Sequence, residues 1–361
     1  MTSTPLYIYP ITAFVFSAIA LAFGMPLLLR ICRQFRLYDK PNERKVHMED
    51  IPRLGGTLFA PAMVIGIGAA MLLMMLRHTS STPIQTSSLV LVCGMFLIYL
   101  IGVMDDLIGM RASIKFLVQF VSALFMPLCG LYLNNLYGFC GIWSIPVWVS
   151  YPLTVFIILI IVNSWNLIDG IDGLSSSLGM LSLGILTFLF LRLGVVSYTV
   201  LSGSLIGALF VFFLYNMLGK VERGTKIFMG DTGSLILGYT IAYLTIKYAM
   251  DKPEVLPARP VAILMSYTLV IVPVFDLCRV ALCRMWRGKG IFEADKTHIH
   301  HLFLINGFTM HQTLCYIVGL QIVFIALNSV MFVLGTGLTW IFITNLLIYV
   351  SLIFWLNKAT R

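Results

Sequence analysis

Two adjacent carboxylates in the motif GVMDDLIGM are the first residues of this chain that could form a reactive site. Asp105 and Asp106 repel each other unless a cation or a proton is shared between them. Lys115 begins the next apolar segment and could supply that positive charge. A solvated turn between two helices would also explain an isolated pair, so its meaning depends on the other polar motifs.

A second motif, NSWNLIDGIDGLSSS, repeats a polar side chain at every third residue where an apolar segment ends. On a helix this spacing makes one polar stripe, and such a stripe in a membrane is costly unless it faces protein or water. Gly170 and Gly173 let the backbone turn tightly beside a ligand. The stripe therefore indicates a functional site, formed by Asn163, Asn166, Asp169 and Asp172.

A third motif, KIFMGDTGSLILGY, places Asp231 between Gly230 and Gly233 just before another apolar segment. Amides of a glycine-rich turn at a helix N-terminus favour anions, and a neighbouring carboxylate can hold the Mg²⁺ that accompanies a diphosphate. Helix N-caps often have the same composition. The motif therefore gains its significance from the other carboxylates.

The segment CRMWRGKGIFEADKTHIHHLF combines basic residues with His298, His300 and His301. Cations beside histidines suit a polyanionic ligand. The HxHH spacing is also compatible with zinc, but the aspartate motifs favour a hard, oxygen-seeking ion such as Mg²⁺.

Membrane helices are expected to hold these groups. The 361 residues are 59% hydrophobic and 11% charged, whereas about 25% are charged in a soluble domain. A helix needs about 20 apolar residues to cross a bilayer. Eleven segments are candidates, at about 8–30, 56–76, 87–104, 115–133, 146–166, 174–192, 196–215, 230–248, 260–282, 312–334 and 338–356. The expected fold is all-α and polytopic.

The distribution of Lys and Arg predicts an outer N-terminus and a cytoplasmic C-terminus, because cytoplasmic loops carry the excess of these residues. In this orientation, the polar motifs lie near the cytoplasmic face. Anionic inner-leaflet lipid and a phosphate-bearing substrate then explain the net charge of +9 without any nucleic acid. The cations left outside are Arg77, Arg192, Lys247, Lys252 and Arg259.

Taken in order, the motifs DD, NxxNxxDGxDGL, FMGDxGS and HxHH resemble those of the polyprenyl-phosphate N-acetylhexosamine-1-phosphate transferase family, glycosyltransferase family 4. The resemblance implies one membrane domain over 1–361, with catalytic loops at about 31–55, 105–115, 167–173, 216–230 and 283–311. It also implies attack by a polyprenyl phosphate on the β-phosphate of a UDP-sugar, which releases UMP. The implied cofactor is Mg²⁺, with Mn²⁺ as a substitute.

The same resemblance assigns roles to individual residues. Asp231 and Asn166 are similar to the family's metal ligands, and Phe228 is similar to the aromatic residue that packs on uracil. The catalytic positions correspond to Asp105, Asp106, Lys115, Asp169 and Asp172. The substrate-binding positions correspond to Phe228, Asn163, Asp39, Lys45, His47, Arg284, Arg287, His298, His300 and His301.

The HIHH form is most similar to the bacterial branch that uses UDP-GlcNAc and undecaprenyl phosphate. The expected setting is then the cytoplasmic face of a bacterial inner membrane, at the first lipid-linked step of a cell-envelope glycan such as O-antigen. Membrane lipid is a further partner, and a homodimer is compatible with this interpretation. The alternatives are UDP-MurNAc-pentapeptide or another N-acetylhexosamine as donor, and, more distantly, an ion-coupled transporter. A transporter would carry charges near the middle of its spans and an internal repeat. The key carboxylates lie at span ends, with Asp276 the nearest to an exception, and no repeat is seen.

Overall fold

The computed structural model describes residues 5–38, 51–77, 86–254, 256–257, 259–288, 290 and 297–359. Over these ranges, the chain is predominantly helical, as its composition predicts. The helices are α1 (Ile8–Phe35), α2 (Phe59–Leu76), α3 (Thr86–Ile108), α4 (Ala112–Leu128), α5 (Val147–Ile168), α6 (Leu174–Arg192), α7 (Val196–Leu218), α8 (Gly230–Ala249), α9 (Ala262–Thr268), α10 (Ile271–Trp286), α11 (Ile299–Ile305), α12 (Met310–Val333) and α13 (Leu338–Ala359).

Each predicted span coincides with a helix or with the bent pair α9 and α10. Within the described residues, eight helices are long and apolar enough to cross a membrane, or up to nine if the bent pair forms one span. Helix α4 is a shorter apolar helix. The all-α polytopic fold is therefore confirmed, while the count of eleven spans and the orientation of the chain remain predictions.

Helix α8 lies at the centre of the bundle, where every residue from Thr232 to Ala249 is buried. A helix that is covered by protein need not be apolar all round to be stable in a membrane. Its neighbour α3 approaches it closely: a Cβ atom added to Gly102 of α3 would lie 2.5 Å from Cα of Thr232. This contact brings the end of α3 against the beginning of α8.

A two-stranded antiparallel hairpin between α4 and α5 was not predicted; it consists of β1 (Asn135–Phe139) and β2 (Ile142–Ser144). Just before it, Asn134 donates a hydrogen bond from Nδ2 to the carbonyl oxygen of Asp251, at 2.6 Å. Asp251 follows the C-terminal end of α8. The hairpin therefore covers the end of the bundle opposite Asp231.

The break between α9 and α10 bends the chain by 66° and frees backbone groups inside the bundle. Gln321 of α12 satisfies two of them. Its Nε2 donates to the carbonyl oxygen of Thr268, at 2.7 Å, and its Oε1 accepts from the amide of Val272, at 3.4 Å. Non-helical backbone is tolerated at membrane depth only where protein or water satisfies it, so Gln321 stabilises the bend.

We expect Gln321→Leu to lower the thermal unfolding midpoint of the detergent-purified protein. The leucine would leave both backbone groups without this partner, and each buried unsatisfied group costs about 1–3 kcal/mol. Val323→Leu is the matched control, because Val323 lies on the same helix and is 53% exposed. Equal midpoints for the two variants would contradict the role assigned to Gln321.

Candidate active site

The N-terminus of α8 is capped by a side chain from another helix. Asp106, in the last turn of α3, accepts at Oδ1 from the amide of Asp231, at 2.8 Å. Its Oδ2 accepts from the amide and the hydroxyl of Thr232, at 3.0 and 2.6 Å. First-turn amides have no partner within their own helix. Asp106 therefore fixes the position of Asp231.

The backbone before α8 leaves no room for a side chain at Gly230. This glycine has φ 74°, and a Cβ atom there would lie 2.0 Å from the carbonyl oxygen of Arg53 and 2.7 Å from Oδ2 of Asp106. Arg53 in turn donates from Nε to the carbonyl oxygen of Asp106, at 2.9 Å, and from Nη2 to that of Asp105, at 3.1 Å. Arg53 was not predicted as a site residue. The two glycines that follow it in the sequence RLGG do indicate that the backbone there passes close to another part of the chain.

Asp105 has a different environment from its neighbour. Its Oδ1 accepts from the amide of Met110, at 2.6 Å, and its Oδ2 accepts from Nζ of Lys115, at 3.0 Å. The same Nζ lies 2.5 Å from Oδ2 of Asp231. Lys115 therefore bridges carboxylates from α3 and α8. It supplies a cation next to the aspartate pair, as expected for two adjacent carboxylates.

Asn166 of α5 reaches the first turn of α8, where its Nδ2 donates to Oγ of Ser234, at 2.9 Å. Asn163, one turn earlier, donates to Oε1 of Gln119 in α4, at 2.7 Å. The structure thus places Asn166 beside the carboxylates and engages Asn163 in an interhelical contact. A role for Asn163 in substrate binding remains a prediction.

The predicted polar stripe is interrupted, because α5 ends at Ile168. Asp169 and Asp172 therefore lie in the loop before α6 and not on a continuous helical face. Gly173, immediately before α6, has φ 74°, a left-handed conformation that glycine adopts readily. The single helical stripe expected from the spacing is therefore wrong for the two aspartates, which lie in the segment 167–173 that was expected to be a loop.

Asp172 of this loop is joined to the segment before α8. Asp172 forms an ion pair with Lys226, with 2.5 Å between Oδ2 and Nζ, and its Oδ1 accepts from Nδ2 of Asn216, at 3.2 Å. Asn216 also accepts at Oδ1 from the amide of Gly173, at 2.7 Å. Lys226 and Asn216 were not predicted, though Lys226 stands two residues before Phe228 in the third motif.

Asp169 has an unusual affinity for protons. Removal of its carboxyl group from water, together with the charges of Asp231, Asp172 and Asp106, raises the pKa of Asp169 to about 8. Like charges close together favour protonation of one member. In the absence of a bound cation, this carboxyl group can therefore hold a proton near neutral pH.

The histidine segment lies against the same loop. A Cβ atom at Gly170 would be 2.1 Å from Nε2 of His300, so the imidazole contacts the backbone between Asp169 and Asp172. Burial and the adjacent His301 lower the pKa of His300 to about 3. The rings of His298 and His300 are parallel, with centroids 5.8 Å apart. Both rings are buried.

The remaining predicted site residues fall into two groups. Phe228 is half-buried in the segment before α8, while at the end of α10 Arg284 is buried and Arg287 is exposed. The residues Asp39, Lys45 and His47 lie outside the described part of the chain.

The donor set permits a hard cation. Within the described residues, no group of three or more His, Cys, Asp or Glu side chains could hold a metal ion. Mg²⁺, however, usually takes one or two carboxylates and completes its shell with waters and substrate phosphates. Asp231 and Asp105 supply hard oxygen atoms around the ammonium of Lys115, and Asn166 lies beside Asp231. These residues fit Mg²⁺ that binds together with a phosphorylated ligand.

Known proteins resemble this chain along most of its length. Residues 88–249 match the family model described as glycosyl transferase family 4. A probable undecaprenyl-phosphate N-acetylglucosaminyl 1-phosphate transferase of Bacillus subtilis is 31% identical over 86% of this chain and 82% of its own length. Undecaprenyl-phosphate alpha-N-acetylglucosaminyl 1-phosphate transferases of Yersinia pestis and Escherichia coli K12 are 30% and 29% identical, over 86% and 84% of this chain and 80% and 77% of theirs. With the carboxylate motifs inside the matched region, and similarity along most of both chains, the protein belongs to glycosyl transferase family 4.

Proposed function

We propose that this protein transfers N-acetylglucosamine 1-phosphate from UDP-GlcNAc to undecaprenyl phosphate, with release of UMP. The single observation that carries the proposal is the bridge from Lys115 to Asp105 and Asp231, which joins the first and the third motif at one end of the bundle. The names of the relatives support the same transferred group and the same acceptor.

The charges of the site suit phosphoryl transfer, which requires positioning and charge neutralisation more than covalent catalysis. Lys115 provides a fixed positive charge that can contact phosphate oxygens. Bound Mg²⁺, or Mn²⁺ in its place, held by Asp231 and Asn166, would neutralise charge on the diphosphate. Phe228 and Asp172 provide a ring and a carboxylate that could recognise the uridine. Asp169 could accept or hold a proton beside them.

An apolar cavity suits the lipid part of the acceptor. It has a volume of about 370 Å³ and lies between α5, α8, α9, α10, α13 and the hairpin. Its wall includes Ile157, Thr245, Val270, Phe275 and Phe342. Thr245 lies about 21 Å from Asp231 along α8, at 1.5 Å per residue. A long prenyl chain whose phosphate lies near Lys115 can extend that far.

The reaction proposed for the site also indicates how the protein is oriented in the membrane. We infer that the polar end of the bundle faces the cytoplasm of a bacterium and that the protein resides in the inner membrane. The excess of Lys and Arg at this end supports that orientation, and a nucleotide sugar is available there. Use of the product in O-antigen synthesis and assembly as a homodimer remain predictions from the sequence.

A transfer assay tests the proposal. Purified protein is incubated with undecaprenyl phosphate, UDP-[¹⁴C]GlcNAc and Mg²⁺, and the label is followed into the organic phase with and without EDTA. We expect Mg²⁺-dependent lipid label and one UMP per transferred sugar. If label came only from UDP-MurNAc-pentapeptide or another UDP-sugar, the assigned donor would be wrong. No label from any UDP-sugar would refute the proposal.

We expect Gly170→Ala to lower kcat/KM in this assay by about 100-fold. The new methyl group would overlap Nε2 of His300, and displacement of an active-site group by about 1 Å can cost that much. Gly184→Ala in α6 is the matched control, since its Cβ atom would have no neighbour within 4 Å. A Gly170→Ala variant as active as the control would show that this packing is irrelevant to transfer.

A further inference from the structure

A buried carboxylate in α10 connects the histidine segment to two other helices. Asp276 is 1% exposed. Its Oδ1 accepts from Nη2 of Arg279, at 2.7 Å, from the amide of Ile299, at 2.9 Å, and from the hydroxyl of Tyr349 in α13, at 3.2 Å. Its Oδ2 lies 2.7 Å from Nδ1 of His298. Oδ1 therefore accepts three hydrogen bonds, and Oδ2 faces the ring of His298.

The contact with Asp276 defines which nitrogen of His298 remains for a ligand. A carboxylate that accepts three other hydrogen bonds is an acceptor toward the ring as well, so Nδ1 of His298 carries the hydrogen. The hydrogen bond made by one ring nitrogen sets the tautomer and orientation of the other. Nε2 is consequently the nitrogen of His298 left for a ligand, held in one orientation by a 2.7 Å contact.

The oriented ring lies within the site described above. His298 immediately precedes α11 and is stacked parallel to His300. His300 in turn contacts Gly170, between Asp169 and Asp172. The amide of Ile299, which also binds Asp276, fixes the backbone next to His298. Asp276 therefore controls both the ring and the main chain of the histidine segment.

We propose that Asp276 is a positioning residue for the transfer reaction: it acts through His298, whose Nε2 it directs toward the sugar diphosphate of the donor. Asp276 itself contacts no substrate. The inference rests on the proposed function, because it assigns His298 a contact with the donor. In other enzymes a buried aspartate holds a histidine in the correct tautomer by the same Nδ1 contact.

A purely structural role for Asp276 makes different predictions. If Asp276 only joined α10, α11 and α13, its loss would lower stability and activity whether or not His298 were present. If it acts through His298, its loss should have no further effect on activity once the imidazole is gone. Interaction of this kind is measured by a double-mutant cycle.

The test compares kcat/KM for Asp276→Asn, His298→Ala and the double variant in the transfer assay. We expect Asp276→Asn to lower kcat/KM by at least about 10-fold, the lower end of the loss caused by removing a partner that orients a metal-ligating histidine. The double variant should match His298→Ala within about twofold. Full activity of Asp276→Asn, or additive losses in the double variant, would overturn the inference. Tyr349→Phe, which removes one hydrogen bond to Asp276 and leaves His298 paired, is the matched control and should stay within about twofold of wild type.

If Asp276→Asn does not fold, His298→Asn provides a second test. His298→Asn retains a side-chain N–H near the position of Nδ1 and removes Nε2. We expect this variant to fold and to lose transfer activity, whereas wild-type activity would overturn the inference.

The ¹⁵N chemical shifts of the His298 ring report the tautomer without any assay. Nδ1–H in the wild type and a changed pattern in Asp276→Asn would support the positioning role, and an unchanged ring would contradict it. Failure of the wild-type protein to transfer any sugar would refute the proposed function instead, and the ring shifts would still test the contact.

Discussion

Replacement of Asp231 by asparagine should lower the rate of sugar-phosphate transfer by about 10³-fold and leave the fold intact. The Asp231 carboxylate lies 2.5 Å from Nζ of Lys115 and close to Asn166. Its loss would remove a negative charge that holds Lys115 and a ligand that suits Mg²⁺. Loss of one preorganised electrostatic contact in an active site costs about 10²–10³-fold, and a bound metal adds several kcal/mol.

The backbone of this variant should remain in place, because the amide of Asp231, and not its side chain, binds Asp106. The measurement is the initial rate of lipid labelling across a range of Mg²⁺ concentrations, together with the thermal unfolding midpoint. Asp251→Asn is the matched control, since Asp251 follows the opposite end of α8 and accepts from Nδ2 of Asn135, at 2.8 Å. Wild-type rates for Asp231→Asn at every Mg²⁺ concentration would refute its assignment as a ligand.

The positions of the helices could be predicted from hydropathy because lipid imposes one requirement on every span. An apolar run of about 20 residues in a membrane forms a helix, and all of the predicted segments are helical. The hairpin at Asn135 lacks such a constraint, since it is short and lies between two spans. Helix α8 was predicted as a span, yet it is covered by its neighbours and contains Thr232, Thr240 and Lys247 among its buried residues.

The residues of the site could be predicted from the sequence, but the contacts between them could not. The carboxylates end separate apolar segments, so their convergence followed from the requirement that charges leave the membrane. Their pairing depends on distances between helices that no local pattern encodes. The contact of Lys115 with Asp231 joins residues 116 positions apart in the chain.

Asp276 illustrates the same limit. An isolated aspartate in an apolar span was visible in the sequence, but its partners His298 and Tyr349 are 22 and 73 positions away. Nothing in the local sequence indicates which of the three histidines it would orient. The contact between Gly170 and His300 was hidden for the same reason, since 170 and 300 come from different segments.

The two adjacent aspartates should have different effects on activity and stability when each is changed to asparagine. Side chains at successive helical positions point about 100° apart. Asp105 therefore faces Lys115 while Asp106 faces the N-terminus of α8. We expect Asp105→Asn to lower transfer by about 100-fold, because it removes a charge beside Lys115. Its unfolding midpoint should stay close to wild type.

Asp106→Asn should instead lower both stability and activity. An amide group can accept at one oxygen only, so part of the cap formed with the amides of Asp231 and Thr232 is lost. An unsatisfied buried amide costs about 1–3 kcal/mol, and a frayed first turn of α8 would displace Asp231. Thermal unfolding in detergent and the labelling assay, run on both variants, distinguish the two roles. Equal losses of stability in the two variants would show that the pair acts as one unit. A loss of stability confined to Asp106→Asn would establish that Asp106 holds the structure of the site, whereas Asp105 acts in the reaction.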